Sequence, residues 1–285
     1  MRVAYLGPAG TFSEDALRAA TAGAGYEPLP RPTVFDAIQA VAEGEADRAL
    51  VPFENSIEGS VRSTLDSLAF DAPEVEIAGE HDHSIANALI ARSELDLRSV
   101  EVVLSHPQAN AQCAHFLREH LPQAEARAAA STADAVREVS ETDRPWAALG
   151  AASAAEIYGC VVIRDGVDDE DGNVTRFVWV APAGTVEQSG EGPWRTTLIF
   201  SELGEDHPGA LVDALTVFSA GGVNLTRIES RPQRKELGRY MFFVDLEGAA
   251  ADPAVSGAIA GLRDKAESVR VLGSYPVRTA GIPGA

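Results

Sequence analysis

Four polar segments carry the side chains that acid–base or anion-binding chemistry needs, and each lies at the end of a short apolar run. They are residues 7–13, 52–60, 105–109 and 173–177. In open α/β sheets, ligands bind outside the carboxyl ends of the strands, so these segments are candidate ligand contacts. The fourth segment places Thr175 beside Arg176, and guanidinium binds carboxylates through paired hydrogen bonds. The structural alternative is an ion pair between Arg176 and the acidic loop at residues 165–171.

The loop GPAGTFS, residues 7–13, joins a predicted strand to a predicted helix. Its glycines let the backbone approach a ligand, and the helix N-terminus presents free amides to an anion. Thr11, Phe12 and Ser13 are the candidate contacts, and Thr11 and Glu14 also have capping-box spacing. A tight, well-capped turn accounts for these residues equally well.

The second segment places a carboxylate, an amide and a hydroxyl in consecutive positions, at Glu54, Asn55 and Ser56, with Gly59 close behind. These groups are candidates for binding a polar substrate. Alternatively, Glu54 belongs to a structural hydrogen-bond network at the start of a capped helix.

The third segment begins with Ser105 and His106 and leads into a helix. His106 is a candidate acid or base, although a histidine at a helix entry is more often a structural donor. His81 and His83 would share one strand face, but without an evident third ligand they do not predict a metal site.

Composition argues against several classes of protein. The 285 residues suffice for about two domains, and the formal net charge of −20 argues against binding nucleic acid or anionic membrane surfaces. No apolar stretch approaches the roughly 20 residues of a membrane helix, and the N-terminus lacks a signal-peptide core. Cys113 and Cys160 form no CxxC pair, so we expect a cytoplasmic protein with reduced thiols and no structural metal.

Short apolar runs alternate with helix-patterned stretches through the first 182 residues, which predicts α/β lobes on mostly parallel sheets. The predicted strands cover residues 3–6, 49–53, 75–80, 83–91, 100–104, 124–129, 161–164 and 175–181. The predicted helices cover residues 13–22, 34–43, 61–70, 109–119, 133–140 and 148–158. We expect the strand at 175–181 to return to the first sheet. Lobe 1 would then comprise about residues 1–74 and 165–182, and lobe 2 about residues 75–164.

The remainder of the chain predicts a second domain. Residues 183–193 are small and polar and predict a linker. Residues 194–278 follow the order βαββαβ, the ferredoxin-like pattern of an α+β domain. Residues 279–285, TAGIPGA, are expected to form a frayed tail.

The chain resembles prephenate dehydratases in five motifs: GPAGTFSEDAL, VPFENSIEGSV, SHPQANAQC, ASAAEIYG and DGNVTRFVWV. Its C-terminal part resembles the ACT regulatory domain. The resemblance implies a two-lobed, periplasmic-binding-protein-like catalytic part with its site between the lobes. It also implies conversion of prephenate to phenylpyruvate, with loss of carbon dioxide and water, in phenylalanine biosynthesis. No metal or redox cofactor is expected, and, because the TFS motif begins at Thr11, neither is a fused chorismate mutase domain.

The same resemblance implies roles for individual residues. Thr175 would hydrogen-bond the departing hydroxyl, Arg176 would hold a substrate carboxylate, and Phe177 would pack against the ring. The other expected contacts are Thr11, Phe12, Ser13, Glu54, Asn55, Ser56, Gly59, Ser105 and His106. One position departs from the family: Asn87 stands where a histidine is usual, which retains a hydrogen-bonding role and removes a titrating one.

The ACT resemblance implies feedback by phenylalanine, bound between paired ACT domains of a homodimer or homotetramer. The expected effector contacts are Gly209, Ala210, Leu211, Asn224, Leu225, Glu229, Ser230, Arg231 and Pro232. Ordinary turn and strand packing is the alternative for these residues. Two other functions stay open, an arogenate dehydratase and a non-catalytic amino-acid sensor, of which the sensor would not need Thr175 as a leaving-group donor.

Overall fold

A computed structural model describes residues 1–21, 23–185, 192–204, 208–277 and 281–284. Its strands are β1 Arg2–Leu6, β2 Glu27–Arg31, β3 Arg48–Asn55, β4 Gly59–Ser60, β5 Val75–Ser84, β6 Ala88–Ala91, β7 Val102–Ser105, β8 Glu125–Ala128, β9 Trp146–Gly150, β10 Val161–Arg164, β11 Val174–Pro182, β12 Trp194–Ser201, β13 Leu225–Pro232, β14 Tyr240–Glu247 and β15 Ser268–Pro276. Its α-helices are α1 Phe12–Thr21, α2 Val34–Ala42, α3 Arg62–Asp66, α4 Pro107–Gln112, α5 Ala114–His120, α6 Thr132–Ser140, α7 Ala152–Tyr158, α8 Ala210–Ala220 and α9 Pro253–Arg263.

Lobe 1 is built on a sheet in the order β2-β1-β3-β11-β5, with β4 paired to β3. The first three of these strands are parallel to one another, whereas β11 runs antiparallel to both β3 and β5. The start of β11 therefore lies at the sheet edge where β1 and β3 end. One face of the sheet packs on α1, and the other packs on α2 and α3.

Lobe 2 is built on a second sheet in the order β10-β6-β9-β7-β8. Its central strands are buried, and α6 and α7 cover one face. Two crossings join the lobes, one after β5 and one before β11, and hydrogen bonds tie them together. The Val167 amide donates to the Asn87 carbonyl at 2.9 Å, and the Ile85 amide donates to the Asn173 carbonyl at 2.8 Å.

Several predicted elements of the two lobes need correction. The strand β2 was not predicted because its sequence EPLPR contains two prolines, which an edge strand tolerates. The alanine-rich stretch expected to be helical from Ala148 begins instead with strand β9, because this segment fills the buried centre of a sheet. β5 is continuous to Ser84 and belongs to lobe 1, so the predicted division at residue 75 is wrong and lobe 2 begins after Ser84.

Strand β11 lies in the first sheet, so lobe 2 is an insertion within lobe 1. The helix expected at 109–119 is two short helices, α4 and α5, and the one expected at 61–70 is α3 followed by a π-helical turn, Ser67–Asp71. Within the described residues, no helix has the length and apolarity that crossing a membrane requires.

The C-terminal domain has a four-stranded antiparallel sheet in the order β13-β14-β12-β15, with α8 and α9 on one face. Its other face packs against lobe 1, where Met241, Phe243, Leu272 and Tyr275 join the lobe 1 core. Part of the expected linker, residues 186–191, lies outside the described residues. Residues 278–280 and 285 of the expected tail and its junction also lie outside them.

The expectation of a frayed tail is wrong for residues 281–284. Ile282 is buried against lobe 1 residues around Tyr5 and Trp179. The carbonyl of Pro283 accepts a hydrogen bond from Arg48 Nε at 2.9 Å. An apolar side chain and a main-chain acceptor thus fix a segment whose composition alone predicts mobility.

Gly273 marks the closest approach between the C-terminal domain and lobe 1. A Cβ atom at this position would lie 2.1 Å from the carbonyl oxygen of Ile77 in β5. Backbone atoms cannot yield as a flexible side chain would, so the contact between the two domains requires glycine here.

We therefore expect Gly273→Ala to lower the free energy of unfolding by roughly 1–3 kcal/mol, the usual cost of overpacking. The matched control is Gly257→Ala, in the interior of α9, where an added Cβ meets nothing within 4 Å. The control should be neutral or stabilise by roughly 0.5–1 kcal/mol. Chemical denaturation of both variants tests this, and equal effects of the two substitutions would contradict the interdomain contact.

Candidate functional site

A cavity of about 790 Å³ lies between the two lobes. On the lobe 1 side it is bounded by the ends of β1 and β3 and the start of β11. On the lobe 2 side it is bounded by the segments that follow β7 and β8. Its walls include both polar and apolar side chains: Leu6, Pro8, Thr11, Phe12, Ser13, Pro30, Arg31, Pro52, Asn55, Val61, Ile85, Asn87, His106, Gln108, Gln112, Ser131, Thr132, Asp134, Asn173, Thr175 and Phe177.

The loop at residues 7–13 touches both lobes and closes one end of the cavity. Tyr158 of α7 donates its hydroxyl to the carbonyl of Ala9 at 2.7 Å, and Ser153 Oγ donates to Asp15 at 2.7 Å. Gly10 has φ +82, and a Cβ there would come within 3.0 Å of the Tyr158 ring. Its conformation and the close approach of lobe 2 both require glycine.

Thr175 is held at the cavity wall by Asn55, its partner across β3 and β11. Asn55 Nδ2 donates to Thr175 Oγ1 at 3.0 Å and to Asn173 Oδ1 at 2.6 Å. Asn55 Oδ1 accepts from the amides of Ile57 and Glu58, which fixes the orientation of the amide group. Because Thr175 Oγ1 is the acceptor in its bond with Asn55, its own proton is left for a group in the cavity.

Some residues that line this cavity have a buried hydrogen-bond donor without a partner in the described part of the chain. Three buried donor atoms in its walls have no partner among the described residues: Arg31 Nε, Gln112 Nε2 and Asn173 Nδ2. The N-termini of α1 and α6 also meet the cavity, and helix N-termini carry positive partial charge. A buried donor without a partner is costly, so the arrangement suits a ligand that is rich in anionic oxygens.

Phe177 contributes an apolar wall next to these donors. It lies two residues beyond Thr175 on the same face of β11 and is buried. The His83 ring packs edge-on to it with centroids 6.4 Å apart. Burial lowers the pKa of His83, which favours a neutral imidazole beside this wall.

The prediction that Arg176 holds a substrate carboxylate needs correction, because the pleat of β11 turns its side chain away from the cavity. Its guanidinium donates to Asp245 in the C-terminal domain at 2.6 Å and to Glu54 at 2.9 Å. Glu54 is likewise directed at the C-terminal domain and does not line the cavity. The alternative pairing of Arg176 with the acidic loop at residues 165–171 is not the one observed either.

Three further predicted substrate contacts lie outside the cavity walls. Ser105 is fully buried, and its hydroxyl donates to the Leu149 carbonyl at 2.8 Å. Ser56 is exposed and exchanges hydrogen bonds with Val174, which fastens the start of β11 to the end of β3. Gly59 forms the β4 turn at φ +81. These residues support the site rather than line it.

The remaining predicted contacts do line the cavity, although their hydrogen bonds assign them different tasks. Thr11 donates to main-chain carbonyls of its own loop, at Leu6 and Pro8, and so closes the turn. Phe12 and Ser13 line the wall at the start of α1. His106 caps α4 as an acceptor, since its Nδ1 receives the Gln108 amide at 3.3 Å. A neutral ring would then carry its proton on Nε2.

Asn87 is held by Asp168, one of the acidic-loop residues. Its backbone amide and its side-chain Nδ2 each donate to one carboxylate oxygen of Asp168 at 2.6 Å. Its Oδ1 is buried without a partner among the described residues, and the residue lines the cavity. Asn87 therefore lies at the cavity wall and joins the two interlobe crossings.

The predicted effector residues are divided between the two faces of the C-terminal sheet. Gly209 caps α8, with Ala210 and Leu211 in its first turn. In contrast, Arg231 makes three hydrogen bonds to Asp66 of lobe 1, and Glu229 accepts from Ser60. Glu229 and Arg231 therefore bind lobe 1 in this structure, and their contact with the effector stays a prediction.

The residues of β13 that alternate with Glu229 and Arg231 point to the opposite face of the C-terminal sheet. Ser230 and Pro232 lie on the face that carries α8. Asn224 accepts from the Glu247 amide through its carbonyl, and Leu225 packs on the helix-side core.

Sequence reasoning missed several cavity residues for which signals existed. Gln108 and Gln112 lie four residues apart, the spacing that places two side chains on one helix face. Ser131 has an N-cap signature, with Asp134 three residues on, directly after a strand. Arg31 carried no signal because β2 itself was not predicted.

Two family models account for most of the chain. The one described as prephenate dehydratase matches residues 3–185, and the one described as ACT domain matches residues 197–264. A protein of Mycobacterium marinum named prephenate dehydratase is 41% identical over 283 residues, covering 96% of this chain and 88% of its own. One from Mycobacterium sp. strain JLS, with the same name, is 42% identical and covers 98% and 90%.

Solved structures agree with this over the full fold. The prephenate dehydratase of Arthrobacter aurescens in complex with L-Phe is 39% identical, with a TM-score of 0.89, and covers 100% of this chain and 92% of its own. A structure described as GqqA, a novel type of quorum quenching acylases, is 31% identical, with a TM-score of 0.83 and coverages of 97% and 98%.

Proposed function

The chain belongs to the prephenate dehydratase family and carries an ACT domain, and we propose that the cavity between its lobes is where prephenate reacts. The reaction converts prephenate to phenylpyruvate with loss of carbon dioxide and water, and phenylalanine regulates it through the ACT domain. The observation that supports this site most strongly is the Asn55–Thr175 pair, which leaves one hydroxyl proton for the cavity.

Prephenate is a dianion whose ring becomes aromatic when a ring carboxylate and the opposite hydroxyl leave. The carbon–carbon bond to the carboxylate breaks to give carbon dioxide, its electron pair enters the ring, and the carbon–oxygen bond breaks. The departing hydroxide takes up one proton, which solvent must supply in each turnover, and leaves as water. Aromatisation drives the step, so the protein needs a well-placed donor rather than a strong acid. We assign the hydrogen bond to the departing hydroxyl to Thr175, whose orientation is fixed by Asn55 before the substrate arrives.

The substrate carboxylates need another partner now that Arg176 lies outside the cavity. The walls supply Arg31, Asn173 and Gln112, each with a buried donor atom that lacks a partner among the described residues. Charge-assisted hydrogen bonds from Arg31, whose terminal nitrogen also pairs with Glu45, would hold the pyruvyl carboxylate at the rim. Phe177 and the surrounding prolines would face the ring, and an apolar surround favours loss of the ring carboxylate as neutral carbon dioxide.

Two alternatives are less well supported by the cavity. A non-catalytic sensor would not require the preorganised Thr175 hydroxyl. An acylase would need a nucleophile activated by a base, yet among the described residues the sole hydrogen bond of the His106 ring is one that it accepts from the Gln108 amide, and no hydroxyl is bonded to it. Arogenate, which has an amino group in place of the keto oxygen, fits the same carboxylate-binding wall and remains the alternative substrate.

Assembly, location and domain limits belong to the same proposal. We place L-Phe between paired ACT domains of a homodimer or homotetramer in the cytoplasm. Exposed Val212 and Ile228, on α8 and β13, supply apolar surface for such pairing. The proposed catalytic domain is residues 1–182, and the proposed ACT domain is residues 194–278.

The direct test is phenylpyruvate formation from prephenate by the purified full chain, with arogenate as a parallel substrate and L-Phe added to half of the samples. We expect turnover of prephenate that L-Phe suppresses. Folded protein that turns over neither substrate would reject the enzyme and favour the sensor. Turnover of arogenate alone would reassign the substrate and keep the site.

For Thr175→Ala we expect kcat to fall by about 100-fold, the typical cost of one transition-state donor, while KM changes far less. Thr175→Ser, which keeps the hydroxyl, is the matched control and should retain most of the activity. Steady-state kinetics on both variants separate the two parameters. A raised KM with an unchanged kcat would make Thr175 a binding residue and not the leaving-group donor.

For Arg31→Gln we expect KM for prephenate to rise by about 10-fold or more, since one charge-assisted hydrogen bond is lost, with a smaller change in kcat. Arg92→Gln is the control, because Arg92 is an ion-paired surface arginine of lobe 2 outside the cavity. If both variants keep the wild-type KM, the carboxylate is bound elsewhere.

A further inference from the structure

Arg176 lies at the boundary between the catalytic part and the ACT domain, in an environment that holds its charge. Its guanidinium is buried and meets Asp245 at 2.6 Å, Glu54 at 2.9 Å and Glu80 at 3.3 Å. Burial opposes the charge, but attraction from Asp245 and Glu80 keeps the pKa of Arg176 above its ordinary value. The arginine therefore stays charged and depends on carboxylates from both domains.

The surrounding cluster balances three arginines with three carboxylates. Arg195 lies 3.4 Å from Glu80 and 3.7 Å from Asp245, and Arg227 lies 3.6 Å from Glu54. The two ACT-domain arginines thus approach the same acids that serve Arg176. A change in any one of these positions changes the partners that remain for the others.

Asp245 is fixed by its own domain. Its Oδ1 accepts from Thr197 Oγ1 at 2.8 Å, and that hydroxyl is 2.8 Å from the Tyr275 hydroxyl. Asp245 is fully buried on β14. Its Oδ2 therefore moves with the ACT sheet, so a shift of that sheet changes the contact between Oδ2 and Arg176.

On the catalytic side, two members of the cluster are adjacent in sequence to site residues. Arg176 follows Thr175 on β11, and Glu54 precedes Asn55 on β3. Thr175 pairs with Asn55 across β11 and β3, and the next pair in the register is Arg176 with Glu54. Each strand turns one side chain toward the cavity and its neighbour toward the ACT domain. Movement of Arg176 and Glu54 would therefore change the alignment of the Thr175–Asn55 hydrogen bond.

On the effector side, Asp245 lies beside the start of β13. Arg227 pairs with Asp245 in the sheet register, and Leu225 pairs with Leu246. The Glu247 amide donates to the Asn224 carbonyl at 3.0 Å. A ligand that shifts Asn224 and Leu225 would shift β14 with them.

We propose that the Arg176–Asp245 ion pair transmits occupancy of the ACT domain to the catalytic hydroxyl, with Arg176 as a positioning residue. The proposal rests on the proposed function. The pair is formed in the arrangement that aligns Thr175, and bound L-Phe favours an arrangement in which Asp245 is displaced from Arg176. Differential stability of the pair in the two arrangements supplies the coupling free energy that inhibition requires.

The test compares Asp245→Asn with Arg270→Gln in the full chain. Asp245→Asn removes one charge from the pair and keeps an oxygen for Thr197. Arg270 also contacts lobe 1, through the carbonyls of Leu68 and Ala69, but it lies apart from the catalytic strands. The measurements are prephenate turnover with and without saturating L-Phe, and L-Phe affinity by calorimetry.

We expect Asp245→Asn to bind L-Phe while its inhibition ratio, uninhibited over inhibited turnover, falls at least threefold below wild type. Arg270→Gln should keep the wild-type ratio. Thr197→Val, which loosens Asp245 without altering charge, should reduce the ratio in the same direction. In Asp245→Asn and Thr197→Val, the lower inhibition ratio should come from a change in kcat rather than in KM for prephenate.

An unchanged inhibition ratio in Asp245→Asn and Thr197→Val would overturn the proposal. An equal loss in Arg270→Gln would do so too, because general weakening of the domain contact would then explain the effect. Absence of prephenate turnover in the wild-type chain would instead refute the proposed function, so the two failures are distinguishable.

Discussion

The alternation of side chains along one strand is the constraint on which the rest of the structure depends. Strand β11 turns Thr175 and Phe177 toward the interlobe cavity and Arg176 toward the ACT domain. A buried guanidinium without partners would cost several kcal/mol. The sequence must therefore supply Glu54, Glu80 and Asp245 around it, and the ACT domain must be docked for the set to be complete.

This constraint also limits which groups the cavity offers to the anion that we propose it binds. With Arg176 engaged behind the sheet, the cavity relies on Arg31, on amide donors and on the N-termini of α1 and α6. Apart from the charge of Arg31, these groups offer directed hydrogen bonds from neutral donors. Ligand binding is thus separated from the charge cluster, although the two share β3 and β11.

The sequence predicted single polar side chains of the site from their own segments, without the contacts between them. Asn55 and Thr175 were identified from polar segments at strand ends, and both line the cavity. It could not predict which face each neighbour takes, since that depends on pairing register: Ser105 is buried in a sheet while His106 lines the cavity. The sequence also could not predict contacts between distant segments, such as the one between Arg176 and Asp245, which lie 69 positions apart. Fold errors arose where context outweighed propensity, as in the proline-containing β2 and the alanine-rich β9.

The most direct measurement of the central claim is amide hydrogen exchange of the wild-type chain with and without L-Phe. If Arg176 couples the two domains, L-Phe changes exchange at residues 174–177 at the start of β11 and at residues 54–55 of β3, as well as in β13 and β14. Changes confined to the ACT domain, with both catalytic strands unaltered, would contradict coupling through Arg176.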